Sequence, residues 1–207
     1  MTEIIADPHT DKNKLNSLIR VFLDLYTSPV DAFDFYQNGN ILKKSHIVFF
    51  HISLWLYAPI SKFIFNFINF YINQPAEDSK GFNQYDGLAL SFLIYPVFYI
   101  LGMILESFRN SYKQNEFFKE PPYKGLGNIA FLPISSTSIF WIFPKPFNAI
   151  FMFIGIIYSV KLYYSSIINI DNFSRKDFFR LIYYFLSFIL IISFFSILLG
   201  NFLRNKS

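Results

Sequence analysis

The sequence contains no cysteine, which excludes disulfide bonds, thiolate nucleophiles and cysteine-based metal or redox sites. Charged residues are also scarce, at 15%, and they leave long intervals that hold one ionisable side chain or none. A soluble domain of 207 residues needs more polar surface than this. The scarcity of charge therefore indicates a chain whose solvent is partly lipid.

Apolar residues fill the space that the charges leave, with 53% hydrophobic residues that include 29 Phe and 14 Tyr. Five apolar intervals are each long enough to cross a hydrocarbon layer of roughly 30 Å as a helix. They are residues 47–72, 87–108, 126–143, 147–168 and 178–203. Helices satisfy their own backbone in lipid, so the sequence predicts an all-α, polytopic bundle of about five transmembrane helices.

The third and fourth intervals are separated only by Pro144, Lys145 and Pro146. Because proline cannot continue a helix without losing a hydrogen bond, this turn favours a tight hairpin between two antiparallel helices. A re-entrant pair that does not cross fully is the alternative.

The N-terminal residues are amphipathic. Apolar residues recur there at helical spacing, namely Leu15, Leu18, Ile19, Phe22, Leu25 and Tyr26. This pattern predicts a helix that lies on the membrane or packs beneath the bundle and ends before Pro29, followed by a short helix that ends near Asn38. No cleavable signal is expected. We divide the chain into an amphipathic segment (1–45), a transmembrane domain (46–203) and a short tail (204–207).

Lysine and arginine are distributed unevenly among the predicted loops. With the N-terminus inside, the inner segments hold eleven of them and the outer segments four. Since cytoplasmic loops carry the excess, we expect a multi-pass integral membrane protein with a cytoplasmic N-terminus and an outer C-terminus. The surplus of basic residues is explained by anionic lipid, and no nucleic acid is expected as a partner.

Charged side chains within apolar intervals are candidate functional residues, because each is costly in lipid and usually has a partner or a purpose. One hypothesis pairs Glu106 with Lys161 across two helices. The favoured interpretation is structural, with Glu106 and Arg109 paired at a helix end while Lys161 extends toward the nearer interface.

A cluster of hydroxyls, Ser135, Ser136, Thr137 and Ser138, follows Pro133 in the third interval. These side chains either line a polar cavity or, as we favour, repair the backbone hydrogen bonds that Pro133 breaks and allow close helix contact. Gly155 and Ser159 have the spacing of small residues at which helices approach closely.

No catalytic constellation or cofactor motif is recognisable, so no enzyme activity, metal or cofactor is expected. His46 and His51 are five residues apart, which places them on different faces of a helix instead of the single face that two metal ligands need. Solvated or interfacial histidines are predicted at both positions.

The order of features along residues 21–199 resembles the Yip family of five-span membrane proteins, which are named for interaction with Rab-type GTPases. The residues that carry the resemblance are Ser28, Pro29 and Phe33 ahead of the first span, Tyr95 and Pro96 in the second, Tyr158, Ser159 and Lys161 in the fourth, and the polar loop with Asn169, Asp171, Asn172, Ser174, Arg175 and Lys176 before the last. The glycine-rich and tyrosine pairs of eukaryotic relatives have no clear counterpart. The resemblance implies five spans and a cytoplasmic N-terminus.

Two hypotheses about function follow. The first is a non-catalytic protein of the Yip type that organises or shapes membrane or scaffolds partner proteins, with lipid and other membrane proteins as its partners. The second is a small transporter, or a membrane subunit of one. It is suggested by the proline in each of the first three spans and by the hydroxyl cluster, although a small-molecule substrate is not expected.

Overall fold

A computed structural model describes residues 8–38, 42–72, 87–115, 125–170 and 173–204. Within these ranges every regular element is helical, as the sequence predicts. The α-helices are α1 (Pro8–Thr27), α2 (Pro29–Asn38), α3 (Lys44–Ile72), α4 (Leu88–Asn115), α5 (Leu126–Ala130), α6 (Leu132–Ser136), α7 (Phe147–Asn169) and α8 (Arg175–Arg204), and a 3-10 helix (Thr137–Ile142) follows α6. The predicted division at Pro29 between two N-terminal helices is confirmed.

Four of the helices, α3, α4, α7 and α8, are long and apolar enough to cross a membrane. They coincide with four of the predicted intervals, and the chain has the architecture of a multi-pass helical membrane protein. The remaining interval, the third along the chain, is a shorter apolar run, Leu126–Ile142. It is built from α5, α6 and the 3-10 helix, and we call it the broken segment.

The broken segment runs antiparallel to α7. Phe131 contacts Tyr163, the backbone of Ile134 contacts Ser159, and Phe140 stacks on Phe151, so that residues later in the segment meet residues earlier in α7. The segment also packs against α3 and α4. It therefore occupies the middle of the bundle.

The N-terminal helices belong to the same hydrophobic core as the spans. Leu18, Val21 and Leu25 of α1 and Phe33 of α2 are buried in one cluster with residues of the long helices and the broken segment. The segment 1–45 that the sequence separates from the bundle is thus packed onto it over its described part. The predicted tail, residues 204–207, lies almost entirely outside the described residues.

Candidate functional site: a buried polar network

Helices α4 and α7 meet the broken segment at very short range because glycine stands at each contact. A Cβ on Gly155 of α7 would lie 2.6 Å from Thr137 Cγ2, and one on Gly102 of α4 would lie 2.5 Å from the Phe131 ring. The predicted close approach at Gly155 is therefore present. Such distances bring the polar groups of the segment within hydrogen-bonding reach of α3, α4 and α7.

Glu106 of α4 holds the beginning of the broken segment. Its Oε1 accepts a hydrogen bond from the Gly125 amide at 2.7 Å, and its Oε2 accepts one from the Gly127 amide at 2.8 Å. These amides belong to the first turn of α5, where backbone donors have no partner within the helix. A Cβ on Gly127 would lie 2.3 Å from Oε2, so the carboxylate can approach because residue 127 is glycine.

Arg109 supports this carboxylate from one turn further along α4. Its side chain is fully buried, and its Nη2 lies 3.7 Å from Glu106 Oε1 and donates to Asn110 Oδ1 at 2.8 Å. A charge that is removed from water in this way needs an opposite charge and hydrogen bonds nearby. Glu106, Arg109 and the start of α5 form one electrostatic unit at this end of the bundle.

His51 of α3 lies at the centre of the network. Its Nε2 is 2.7 Å from the Asn128 carbonyl oxygen, and its Nδ1 is 2.6 Å from Ser135 Oγ. Because a carbonyl only accepts, Nε2 carries the proton and Nδ1 of the neutral ring accepts from the Ser135 hydroxyl. Trp55 Nε1, one turn later on α3, donates to the same Ser135 Oγ at 2.8 Å.

Asn128 extends the network to α4 and α2. Its Oδ1 accepts a hydrogen bond from Tyr99 at 2.8 Å, and its side-chain nitrogen and the Tyr36 hydroxyl both lie beside Gly125. Burial raises the pKa of Tyr36 above its ordinary value. Tyr36 therefore remains a neutral phenol at physiological pH and joins α2 to the interior.

The other end of the network lies around Tyr95 of α4. Trp141 Nε1 donates to the Tyr95 hydroxyl at 2.9 Å, and that hydroxyl lies 3.3 Å from Thr137 Oγ1. Ser138 donates to the Leu54 carbonyl of α3 at 2.6 Å. Hydrogen bonds that involve side chains thus occur along most of the length of the broken segment.

The four hydroxyls that the sequence singles out have different partners. Ser136 and Thr137 donate to the carbonyls three residues earlier, of Pro133 and Ile134, at 2.8 and 2.7 Å. Ser135 and Ser138 join the segment to α3. Two of the hydroxyls thus bond to backbone carbonyls within the segment, and the other two make contacts with a neighbouring helix. The space beside Ser136 and Thr137 is a groove of about 280 Å³ with largely apolar walls, which include Phe140, Phe151, Ile154 and Tyr158.

The structure does not bring Glu106 and Lys161 together. Glu106 is buried against Arg109 and α5, whereas Lys161 is exposed on α7. Among the described side chains, the ion pair of Glu106 is with Arg109, which is the i, i+3 pair of the favoured interpretation.

The prediction of a solvated or interfacial His51 is wrong. The side chain is completely buried. Ser135 and the carbonyl of Asn128 are hydrogen-bond partners of its two ring nitrogens, so its burial leaves neither nitrogen without a partner. His46 is partly exposed and accepts a hydrogen bond from the Lys43 amide at 3.1 Å. No group of three potential metal ligands occurs among the residues that the structure describes.

Sequence reasoning missed His51, Trp55, Tyr99 and Asn128 as network residues. One signal was available, because His51 and Trp55 on α3, and Tyr95 and Tyr99 on α4, are polar aromatic residues spaced four apart. That spacing places each pair on one helix face. The spacing between His51 and His46 does not reveal these shared faces.

The contact between Ser135 and His51 has the residue types of a nucleophile and its base, but its surroundings favour a structural role. Ser135 Oγ accepts from Trp55 while it donates to His51, and both residues are buried. A catalytic serine must present its oxygen to a substrate. Here the proton and one lone pair of that oxygen are directed at protein partners.

Comparison of this chain with protein-family models, with curated proteins and with solved structures gives no match. The resemblance to the Yip family therefore remains a prediction that rests on the order of features in the sequence.

Proposed function

We propose that this protein is a non-catalytic integral membrane protein of the Yip type, which organises or shapes membrane or scaffolds partner proteins. The observation that carries the proposal is the engagement of the interior polar groups with one another. Five interior side chains each form hydrogen bonds with protein atoms inside the bundle, namely those of Glu106, His51, Ser135, Asn128 and Tyr95. A core of this kind supports a fixed shape.

Such a core supports a fixed shape because burying polar groups in an apolar medium without partners costs free energy. A hydrogen-bonding group that is buried without a partner destabilises a protein by about 1–3 kcal/mol, whereas a satisfied network makes the packing specific. A transport pathway needs groups that exchange their partners for water or substrate. The hydroxyls of residues 135–138 instead donate to the ring of His51 or to carbonyl oxygens of the protein.

Reconstitution into liposomes tests the proposal. We expect vesicles that contain the protein to change in diameter or shape as the ratio of protein to lipid increases, as seen by electron cryo-microscopy. We expect no specific solute flux in the same preparation. Specific flux that is abolished by Glu106→Ala or Lys161→Ala would contradict the proposal and favour the transporter.

A second measurement addresses the rival function through the hydroxyl cluster. The native chain has no cysteine, so single substitutions such as Thr137→Cys and Ser138→Cys provide unique thiols. We expect both to be protected from soluble thiol reagents, while Ser45→Cys, which replaces an exposed serine at the start of α3, reacts rapidly. Reaction of the residue 137 and 138 thiols at the rate of the control would indicate a water-filled pathway.

A further inference from the structure

The exposed side chains of the long helices change character toward the end of the bundle where α3 begins. On α3 the exposed polar residue Ser45 is followed by the exposed apolar residue Phe49. On α7 the order is reversed, and the exposed apolar residue Val160 is followed by the exposed charged residue Lys161. On α8 the exposed Lys176 is followed by the exposed aromatic residue Phe179. In a membrane-spanning bundle such a change marks the border between hydrocarbon and water.

The borders on α3 and α7 lie at about the same height in the bundle. His51, two residues after Phe49, bonds to Ser135 of the broken segment. Ser159, next to Val160, accepts a hydrogen bond from the neighbouring Ile134 amide at 3.3 Å. Residues 134 and 135 therefore mark one level on both helices, and we call this level the interface level.

Helix α1 is attached to the bundle at this interface level. The Tyr26 ring stacks on Tyr158 of α7 with 5.5 Å between the ring centroids, and the Tyr158 hydroxyl donates to the Leu25 carbonyl at 2.8 Å. One turn earlier, Phe22 packs edge-on against Phe50 of α3 at 5.8 Å. Two contacts on different helices thus hold the second half of α1 where lipid meets water.

The surface of α1 has two apolar parts. One part, Leu18, Val21 and Leu25, is buried against the bundle. The other part is exposed and consists of Leu15 (53%), Ile19 (43%), Leu23 (57%) and Tyr26 (46%), which we call the α1 stripe. At 3.6 residues per turn the α1 stripe covers an arc of about 80° next to the buried part.

The remaining side of α1 and the outer side of α2 are polar. Arg20 forms an ion pair with Asp24 at 3.4 Å and lies over the Phe35 ring of α2, and Asp31 and Asp34 are exposed on α2. The pair of helices α1 and α2 therefore has one apolar face and one charged face. A helix with this division lies in a membrane surface, with its apolar face about 5–10 Å into the boundary between headgroups and acyl chains.

We propose that the α1 stripe binds membrane lipid directly, in the leaflet on the side of the bundle where α3 begins. The stripe is continuous with the lipid-facing surface of α7, because Tyr26 stacks on Tyr158 beside the exposed Ile154 and Ile157. Its partner is the boundary between headgroups and acyl chains, and the charged face of α1 and α2 points to water.

The exposed charges around the interface level match the headgroups of anionic lipids. Lys43 and Lys44 precede the first turn of α3 or lie in it, and Arg175 and Lys176 begin α8. Basic side chains at a membrane surface attract acidic lipid. The inference deepens the proposed function and rests on it, because a helix inserted into one leaflet expands that leaflet alone and favours curvature.

Fluorescence on the full-length protein in lipid vesicles tests the position of the α1 stripe. Single thiols at Ile19→Cys and Leu23→Cys carry an environment-sensitive dye, and Asp34→Cys on the polar face is the matched control. The vesicles contain phosphatidylcholine and phosphatidylglycerol. We expect the two stripe dyes to emit at shorter wavelength than the control and to be quenched most strongly by lipids that carry a nitroxide near the headgroup.

Two results would overturn the proposal. If aqueous iodide quenches the stripe dyes as strongly as the dye at residue 34, the stripe faces water. If nitroxides at the acyl-chain ends quench most strongly, α1 lies deep in the bilayer instead of at its surface. Since the vesicles contain no other protein, quenching by lipid cannot arise from a protein partner that covers the stripe.

The same vesicles separate this inference from the proposed function. Quenching by headgroup nitroxides without any change in vesicle shape would support the lipid contact and contradict the shaping role. A shape change that persists in the doubly substituted Leu15→Ser, Leu23→Ser protein would contradict the curvature role that the inference gives to the α1 stripe and leave the proposed function standing. Both substituted residues are exposed, so the variant should keep the melting temperature of the native protein, which is measured alongside.

Discussion

At the scale of single residues, the carboxylate of Glu106 holds the start of the broken segment in place. It accepts from two amides and faces a buried guanidinium. A carboxylate that accepts two amide hydrogen bonds also complements the positive end of the helix it caps. Glu106 therefore has three structural roles. It caps α5, compensates the charge of Arg109 and attaches α5 to α4.

We predict that Glu106→Gln destabilises the protein by about 1–3 kcal/mol, because the neutral amide has one acceptor oxygen fewer and removes a negative charge from beside the buried Arg109. Denaturant titration of the purified protein in detergent micelles measures the change. Asp34→Asn removes an exposed carboxylate and serves as the control, with a change near zero. Equal stability of the two variants would show that Glu106 does not support the segment.

His51 provides the second prediction at this scale. We expect His51→Ala to lower the free energy of unfolding by about 1–3 kcal/mol, since the Asn128 carbonyl and the Ser135 hydroxyl lose a partner inside the bundle. His46→Ala removes a partly exposed histidine with one backbone hydrogen bond and should have a smaller effect. Thermal unfolding in detergent compares the two, and a larger loss for His46→Ala would refute the central role of His51.

Single residues also show which contacts can be predicted from the spacing of residues along a helix. The pair of Glu106 and Arg109 follows from two residues three apart on a helix. The amide partners of Glu106 stand 19 and 21 positions away in the chain, and the serine partner of His51 stands 84 positions away. Helical periodicity can place two residues on one face of a helix, but it carries no information about partners on other elements, so the contacts between elements could not be predicted.

At the scale of elements, the broken segment differs most from its prediction. A single helix was expected over residues 126–143, but the segment consists of two five-residue α-helices and a 3-10 helix. Pro133 stands at the beginning of α6, where its missing N–H is harmless. The neighbouring hydroxyls and Glu106 satisfy the backbone groups that an interrupted helix leaves without partners.

Helix α7 tests the packing of this element. We predict that Gly155→Ala destabilises the protein by about 1–3 kcal/mol, because the new methyl group would overlap Thr137 and press on the backbone of Pro133 and Ile134. Ile157→Ala on the exposed side of the same helix is the control and should change stability little. Denaturation in detergent measures both, and a harmless Gly155→Ala would show that α7 can move away from the segment.

At the scale of the whole molecule, the direction of the broken segment determines how often the chain crosses the membrane. The segment begins beside Glu106, near the end of α4, and reaches Tyr95, near its beginning. It is followed by the turn at Pro144, Lys145 and Pro146 and by α7, which returns in the opposite direction. This course makes the turn at Lys145 and the end of α4 lie at opposite ends of the bundle.

We therefore predict that Ser111→Cys and Lys145→Cys react with a membrane-impermeant thiol reagent from opposite sides of the membrane. Both residues are exposed. From the distribution of basic residues we expect Ser111 on the cytoplasmic side, so in intact cells the Lys145→Cys thiol should be labelled and the Ser111→Cys thiol protected until the cells are opened. Labelling of both from one side would show that the broken segment is re-entrant.

The sequence by itself determined the class of the protein, the four long helices and the division of the N-terminal region at Pro29. Each of these follows from the composition or periodicity of a continuous stretch of chain, and a helix in lipid satisfies its own backbone within such a stretch. Only the tertiary structure decided that the third interval is broken, that His51 is buried and that one face of α1 covers the bundle while the next remains exposed. Those features depend on side chains that are distant in sequence and meet because small residues let the helices approach.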